Sequence, residues 1–127
     1  MNVELRLLSR AYSVCRLPAG SALPAPPRTA ELYGLTVTAE EVSVVCAMGE
    51  EPRGARIESG WSALRVAGEL DFSLVGILSS LTAPLAEAGV SVFALSTFDT
   101  DYLLVRSAEL TPALEALRAR GHLISKG

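Results

Sequence analysis

Apolar residues return along this chain in two rhythms, and the change of rhythm marks its organisation. Leu74, Ile77, Leu78, Leu81, Leu85 and Ala88 recur at spacings of three and four, which lays one apolar stripe along one face of a helix. Ser73 or Asp71 can cap its first free N–H groups, and Gly89 suits the left-handed position just past its end. Pro84 lies inside the stripe and offers no N–H to the Ser80 carbonyl, so a kink or local break is expected there. Ahead of this helix, Leu64 and Val66 alternate with Arg65 in a strand-like segment from Ser62 to Gly68, and a loop follows. Behind it, Val90-Ser91-Val92-Phe93-Ala94-Leu95 is short and almost continuously apolar, the pattern of a central strand. The turn formers between Ser96 and Asp101 lead to a returning strand at Tyr102-Leu103-Leu104-Val105. A second helix carries Leu110, Leu114 and Leu117 on one face, opens near Ser107 or at Thr111-Pro112, and stops at Gly121. His122-Leu123-Ile124 reads as a last strand, and His122 as an ordinary strand-edge residue. The order is β-α-β-β-α-β, an α+β arrangement of ferredoxin-like type.

The first 60 residues follow the strand rhythm only. Val3 to Leu8 and Tyr12 to Leu17 predict two strands, Pro18, Pro24, Pro26 and Pro27 forbid a long helix, and Leu35–Val37 and Val42–Val45 predict two more strands across a polar turn at Thr38–Glu41. The run 49–54 is the linker candidate. The expected division is a truncated, mostly β module over 1–58 and a complete α+β domain over 59–127. The first part alone buries too little surface to be stable, so it is expected to share a sheet or a core with the second.

Composition narrows the function classes. Half of the 127 residues are hydrophobic and 20% are charged, enough to build a core and too apolar for wholesale disorder. A net charge of −3 without any Lys/Arg run speaks against nucleic acid as a partner. No apolar run is long enough to span a membrane, and the alternating start Met1-Asn2-Val3-Glu4-Leu5-Arg6 is unlike a signal peptide, so the expected location is cytoplasmic. Cys15 and Cys46 are too few for a disulfide framework and are read as reduced, buried thiols.

No enzyme motif occurs: there is no G-x-S-x-G, no phosphate loop, no G-x-G-x-x-G and no H-E-x-x-H. One histidine supplies too little for a catalytic triad or a zinc site, and Asp99/Asp101 alone is a weak metal signal. Neither catalytic residues nor a metal or other cofactor is expected. What the topology offers instead is a helix entry at Gly76, where free N–H groups attract a carboxylate, and a turn bearing Thr97 and Asp101, where a cationic group fits. A small zwitterion suits that pairing.

The stretch Leu74–Leu78, followed by Ala83-Pro84-Leu85-Ala86-Glu87-Ala88-Gly89 and the strand-turn-strand from Val90 to Arg106, resembles an ACT domain. The run Leu95-Ser96-Thr97-Phe98-Asp99-Thr100-Asp101-Tyr102 is similar to the tandem ACT modules of cytosolic arginine sensors and small bacterial relatives. The stretch from Leu35 to Glu41, followed by Val42–Val45, resembles their shortened first unit. The resemblance implies a non-catalytic regulatory fold that binds a free amino acid at an interface between modules, here rebuilt by a homodimer. It assigns ligand contacts to Asp71 and Gly76 at the helix entry, Ser91 and Val92 at the start of the following strand, and Thr97, Phe98 and Asp101 at the turn after it. The loop from Asp71 to Gly76 is longer than in many ACT domains, which departs from their contact pattern. Read without the resemblance, Ser91 is a strand residue, Phe98 a lid over the sheet and Asp101 a turn acid. The alternative function is then a ligand-independent protein interaction module.

Overall fold

A computed structural model of the chain describes residues 2–67 and 75–126. The elements within them are β1 (Glu4–Pro18), β2 (Gly34–Val37), β3 (Glu41–Ala47), β4 (Arg56–Val66), α1 (Ile77–Glu87), β5 (Val92–Ser96), β6 (Asp101–Arg106), α2 (Leu110–Ala119) and β7 (Leu123–Lys126). The expected strands at 3–8 and 12–17 are thus one continuous strand. Two compact units result: Met1–Ser9 with Ser62–Gly127, and Arg10–Trp61. Strands β1 and β4 each pass through both, so these units do not coincide with a single cut between residues 58 and 59.

The first unit has the expected β-α-β-β-α-β succession in an α+β fold. Its strands lie in the row β7-β1-β4-β6-β5. β5 and β6 pair antiparallel, with Val92 opposite Val105 and Ser96 opposite Asp101, while β1 and β7 pair parallel, with Leu5 beside Ile124. The start of β1 therefore stands between the first and last strands of the succession. Leu5, with Val3 just ahead of the strand, explains this place, because both face the same core as Leu64, Val66, Leu103 and Val105. Leu81 and Leu85 of α1 and Ala113 and Leu117 of α2 close that core from one side of the sheet. β5 ends the row and is an edge strand, not the central strand its apolar run predicts. Val92, Phe93 and Leu95 are accordingly only half-buried.

Helix α1 begins after Gly76, whose φ of 84° is a left-handed conformation that an L side chain adopts only under strain. It ends as expected at Gly89, where the Val90 N–H closes on the Leu85 carbonyl at 2.9 Å. No break occurs at Pro84, and the helix runs through it. The reason lies outside the helix. His122, only 2% exposed, engages the Ser80 carbonyl through Nε2 at 3.0 Å, satisfying the acceptor that Pro84 leaves without a donor. Its Nδ1 accepts the Val3 N–H at 3.0 Å. These two bonds fix the neutral ring with its proton on Nε2. His122 is thus a buried clamp among β1, α1 and the start of β7, which corrects its reading as an ordinary edge residue.

In the second unit the row is β2-β3-β1-β4. Antiparallel pairing sets Cys15 opposite Val44 and Ser13 opposite Cys46, and a small core gathers Cys15, Leu17, Val42, Val44 and Cys46 under Tyr33, Leu35 and Ala55. Both cysteines are free thiols and buried. The loop 49–54 is fastened by Glu51, whose carboxylate accepts the Ser13 hydroxyl at 2.6 Å and the Gly49 N–H at 3.0 Å. The proline-rich segment is tied near its far end by Glu31, which accepts the Tyr12 hydroxyl at 3.0 Å and the Arg10 N–H at 3.2 Å.

Candidate functional site

The site residues expected from the sequence fall on the first unit. Asp71 lies outside the described residues. Gly76 is the N-cap of α1, with no side-chain cap bonded to the first turn and no acidic residue in it. The carbonyl of Gly76 accepts the Ser80 N–H at 2.9 Å and the Ser79 hydroxyl at 3.2 Å. What remains is a set of backbone N–H groups in the opening turn at the positive end of the helix dipole, the part of a helix that attracts an anion. A Cβ added to Gly76 would meet Ser79 Oγ at 3.8 Å, an ordinary contact, so the backbone angle rather than space calls for glycine.

The β5–β6 turn is fixed from within. The Thr97 N–H donates to the Thr100 carbonyl at 2.8 Å, and the Thr100 N–H returns to Thr97 Oγ1 at 3.3 Å. Buried Thr100 donates its hydroxyl to the Val66 carbonyl at 2.7 Å, so the turn is anchored where β4 ends. Ser96 donates to Asp101 Oδ1 at 2.5 Å across the antiparallel pair, leaving the second carboxylate oxygen for another donor. Asp101 is half-buried, as a turn acid held in one orientation. Phe98, 80% exposed at the tip, does not cover the sheet as a lid.

Strand direction sorts the remaining residues. α1 runs down to Gly89 and β5 climbs back from Val92 to Ser96, so the helix entry and the Thr97–Asp101 turn share one end of the layer. Ser91 and Val92 lie at the other end, four strand steps or about 13 Å from Ser96. Within one chain the six described positions do not converge. Gly76, Thr97, Phe98 and Asp101 belong to one end, and Ser91 and Val92 to the opposite end of an edge strand. The packed alternation made these elements legible in the sequence. The Ser96–Asp101 bond was not, because its signal is a register that only strand pairing defines.

Electrostatics in the second unit point to structure rather than chemistry. Burial, with the Cys15 thiol beside it, pushes the Cys46 thiol up to about 12. Burial likewise raises Cys15, so both remain protonated and poor nucleophiles. The Ser13 hydroxyl and backbone N–H groups lower Glu51. Among the described residues no group of three or more His, Cys, Asp or Glu side chains is placed to hold a metal ion. No helix described is long and apolar enough to cross a membrane.

Comparison with known proteins agrees with this architecture. The sequence is 34% identical over 61 residues to cytosolic arginine sensor for mTORC1 subunit 1 from Rattus norvegicus, a match covering 47% of this chain and 18% of the sensor. The chain thus spans less than a fifth of that relative's length. Protein Atu0741 from Agrobacterium tumefaciens superposes with a TM-score of 0.91 at 34% identity, covering 100% of this chain and 95% of that one. The regulatory subunit of aspartate kinase from Thermus flavus shares the fold at 10% identity, with a TM-score of 0.64 over 94% of this chain and 99% of that one. The family model described as ACT domain matches residues 56–119, half of the chain, from the start of β4 to the end of α2. The chain therefore belongs to the ACT domain family.

Proposed function

We propose that this chain is a non-catalytic sensor that binds a free amino acid at an interface between ACT modules, with two chains forming a cytoplasmic homodimer. In this reading residues 1–58 act as a truncated ACT-like module and 59–127 as the ACT domain. The observation that carries it is the pairing, at one end of the first unit, of an uncapped glycine-led helix start with an aspartate oriented by Ser96. The helix start favours the ligand's carboxylate, and Asp101 favours its ammonium or a cationic side chain. Gly76, Thr97, Phe98 and Asp101 come from one chain, together with Asp71. Ser91 and Val92 complete the site from a second module, since β5 is an edge strand whose start is remote from the turn. Membership in the ACT family and likeness to an arginine sensor support a regulatory role.

Thermal unfolding in the presence of each of the twenty amino acids tests this reading. A ligand of the native state at one hundred times its Kd adds about 2.7 kcal/mol of stability and raises the melting temperature. If no amino acid does so, the sensor reading fails. The ligand-independent interaction module is then the better account, and the exposed apolar Val75 and Phe98, at 84% and 80%, are its supporting observation.

A further inference from the structure

Residues 23–27 have their backbone set by sequence alone. Proline holds φ near −65° and drives the residue before it out of the helical region. Pro24, Pro26 and Pro27 are prolines, while Leu23, Ala25 and Pro26 each precede one. Leu23, Ala25 and Pro26 are thereby held out of the helical region, Pro24, Pro26 and Pro27 keep the φ of polyproline II, and no helix or ladder occurs over 21–27.

Both ends of this segment are fastened. At the start, the Ser21 N–H and hydroxyl both donate to the Pro18 carbonyl, at 3.2 and 2.6 Å. Pro24 then lines an open cleft of about 460 Å³ with Leu17, Pro52 and Arg53. Past the segment, Glu31 is bonded to Tyr12 and Arg10, and Leu32 is buried. Between these anchors residues 25–30 are exposed, and Leu23 is 56% exposed. Three residues per turn put Leu23 and Pro26 on one edge, while Pro24 holds its own edge to the cleft, and the chain bends at Arg28 and Thr29. The result is a rigid apolar ridge ending in a cation, with little conformational entropy left to lose on docking.

We propose that residues 23–28 form a docking segment for a protein whose groove reads polyproline II backbone, with aromatic side chains for Leu23 and Pro26 and carboxylates at one end for Arg28. Such grooves grip preformed extended ridges of this kind. The proposal is independent of amino-acid binding, which involves neither the segment nor its anchors.

The test is calorimetric titration of the full chain against a panel of isolated SH3 and WW domains, used as probes with aromatic polyproline-binding grooves. At least one domain binds the wild-type chain saturably, and the double variant Pro26→Ala/Pro27→Ala weakens that binding about tenfold or more while still melting cooperatively. Arg28→Glu, which leaves the ridge intact, weakens it too and removes most of its salt dependence. The proposal is overturned if no domain binds, or if the double variant and Arg28→Glu bind as the wild type does.

Discussion

At the scale of single residues, His122 is the side chain whose surroundings make the sharpest forecast. His122→Ala leaves the Ser80 carbonyl and the Val3 N–H without their partner, at a cost of about 1–3 kcal/mol for each group that stays buried. Pro84→Ala restores a helical N–H to Ser80, so the penalty of His122→Ala is expected to shrink in that background. A double-mutant cycle by chemical denaturation measures the difference, and additive penalties would contradict the clamp. Each half of this arrangement stands in the sequence, as a proline inside a helix and a lone histidine. Their meeting depends on how the last strand is seated beside β1. The thiols give a pH dependence. Cys46 stays protonated toward pH 12, whereas the unfolded chain loses that proton above its ordinary value of 9.0. Its contribution to stability is therefore fully present below pH 9 and is lost as pH rises toward 12, with a slope of at most about 1.4 kcal/mol per pH unit. Denaturation at pH 8 and pH 10.5 checks this, and Cys46→Ala flattens that slope. Glu51 acts in the opposite limb. Because Ser13 lowers its carboxyl, its contribution is present above 4.5 and fades as pH falls, and Ser13→Ala weakens that acid dependence.

At the scale of elements, legibility followed periodicity. The stripe Ile77, Leu78, Leu81, Leu85 gave the helix, and its stop at Gly89 was readable because a left-handed residue there has a single cheap solution. The start was less legible: the stripe reaches back to Leu74, whereas the helix opens at Ile77 behind Gly76. Gly76→Ala is expected to cost about 1–2 kcal/mol through the positive φ alone, measurable as a lowered denaturation midpoint without loss of cooperativity. Two other elements were misread for one shared reason. Apolar patterning fixes neither burial nor position in a sheet: β5 reads as central although it is a half-buried edge strand, and β1 reads as two strands because Ser9-Arg10-Ala11 interrupts its apolar alternation. β1 pairs with β7 over residues 4–7 and with β3 over residues 12–18, and β4 is its neighbour on the other side, so the strand runs on through a stretch that its apolar pattern breaks.

At the scale of the whole molecule, the β-α-β-β-α-β order was legible, whereas the place of the N-terminal strand within it was not. A chain beginning at residue 59 lacks Val3 and Leu5, leaves β7 without its partner and strips the clamp of its Val3 donor. Residues 59–127 alone are therefore expected to unfold non-cooperatively or at a much lower temperature than the full chain, as a thermal scan of the fragment would record. The candidate site was legible in its residue types and not in its convergence, since Ser91 and Val92 stand at the far end of β5 from Asp101. In the proposed reading a second module completes it, so sedimentation equilibrium at micromolar concentration is expected to give twice the 13.4 kDa chain mass. Ligand binding at that shared site is tested by amide NMR of the isotope-labelled full chain titrated with the twenty amino acids. One of them is expected to shift the amides of Gly76, Val92, Thr97, Phe98 and Asp101 saturably, and Asp101→Ala to weaken this binding about tenfold or more. Saturable shifts that avoid all of these residues, or no shift with any amino acid, would contradict it.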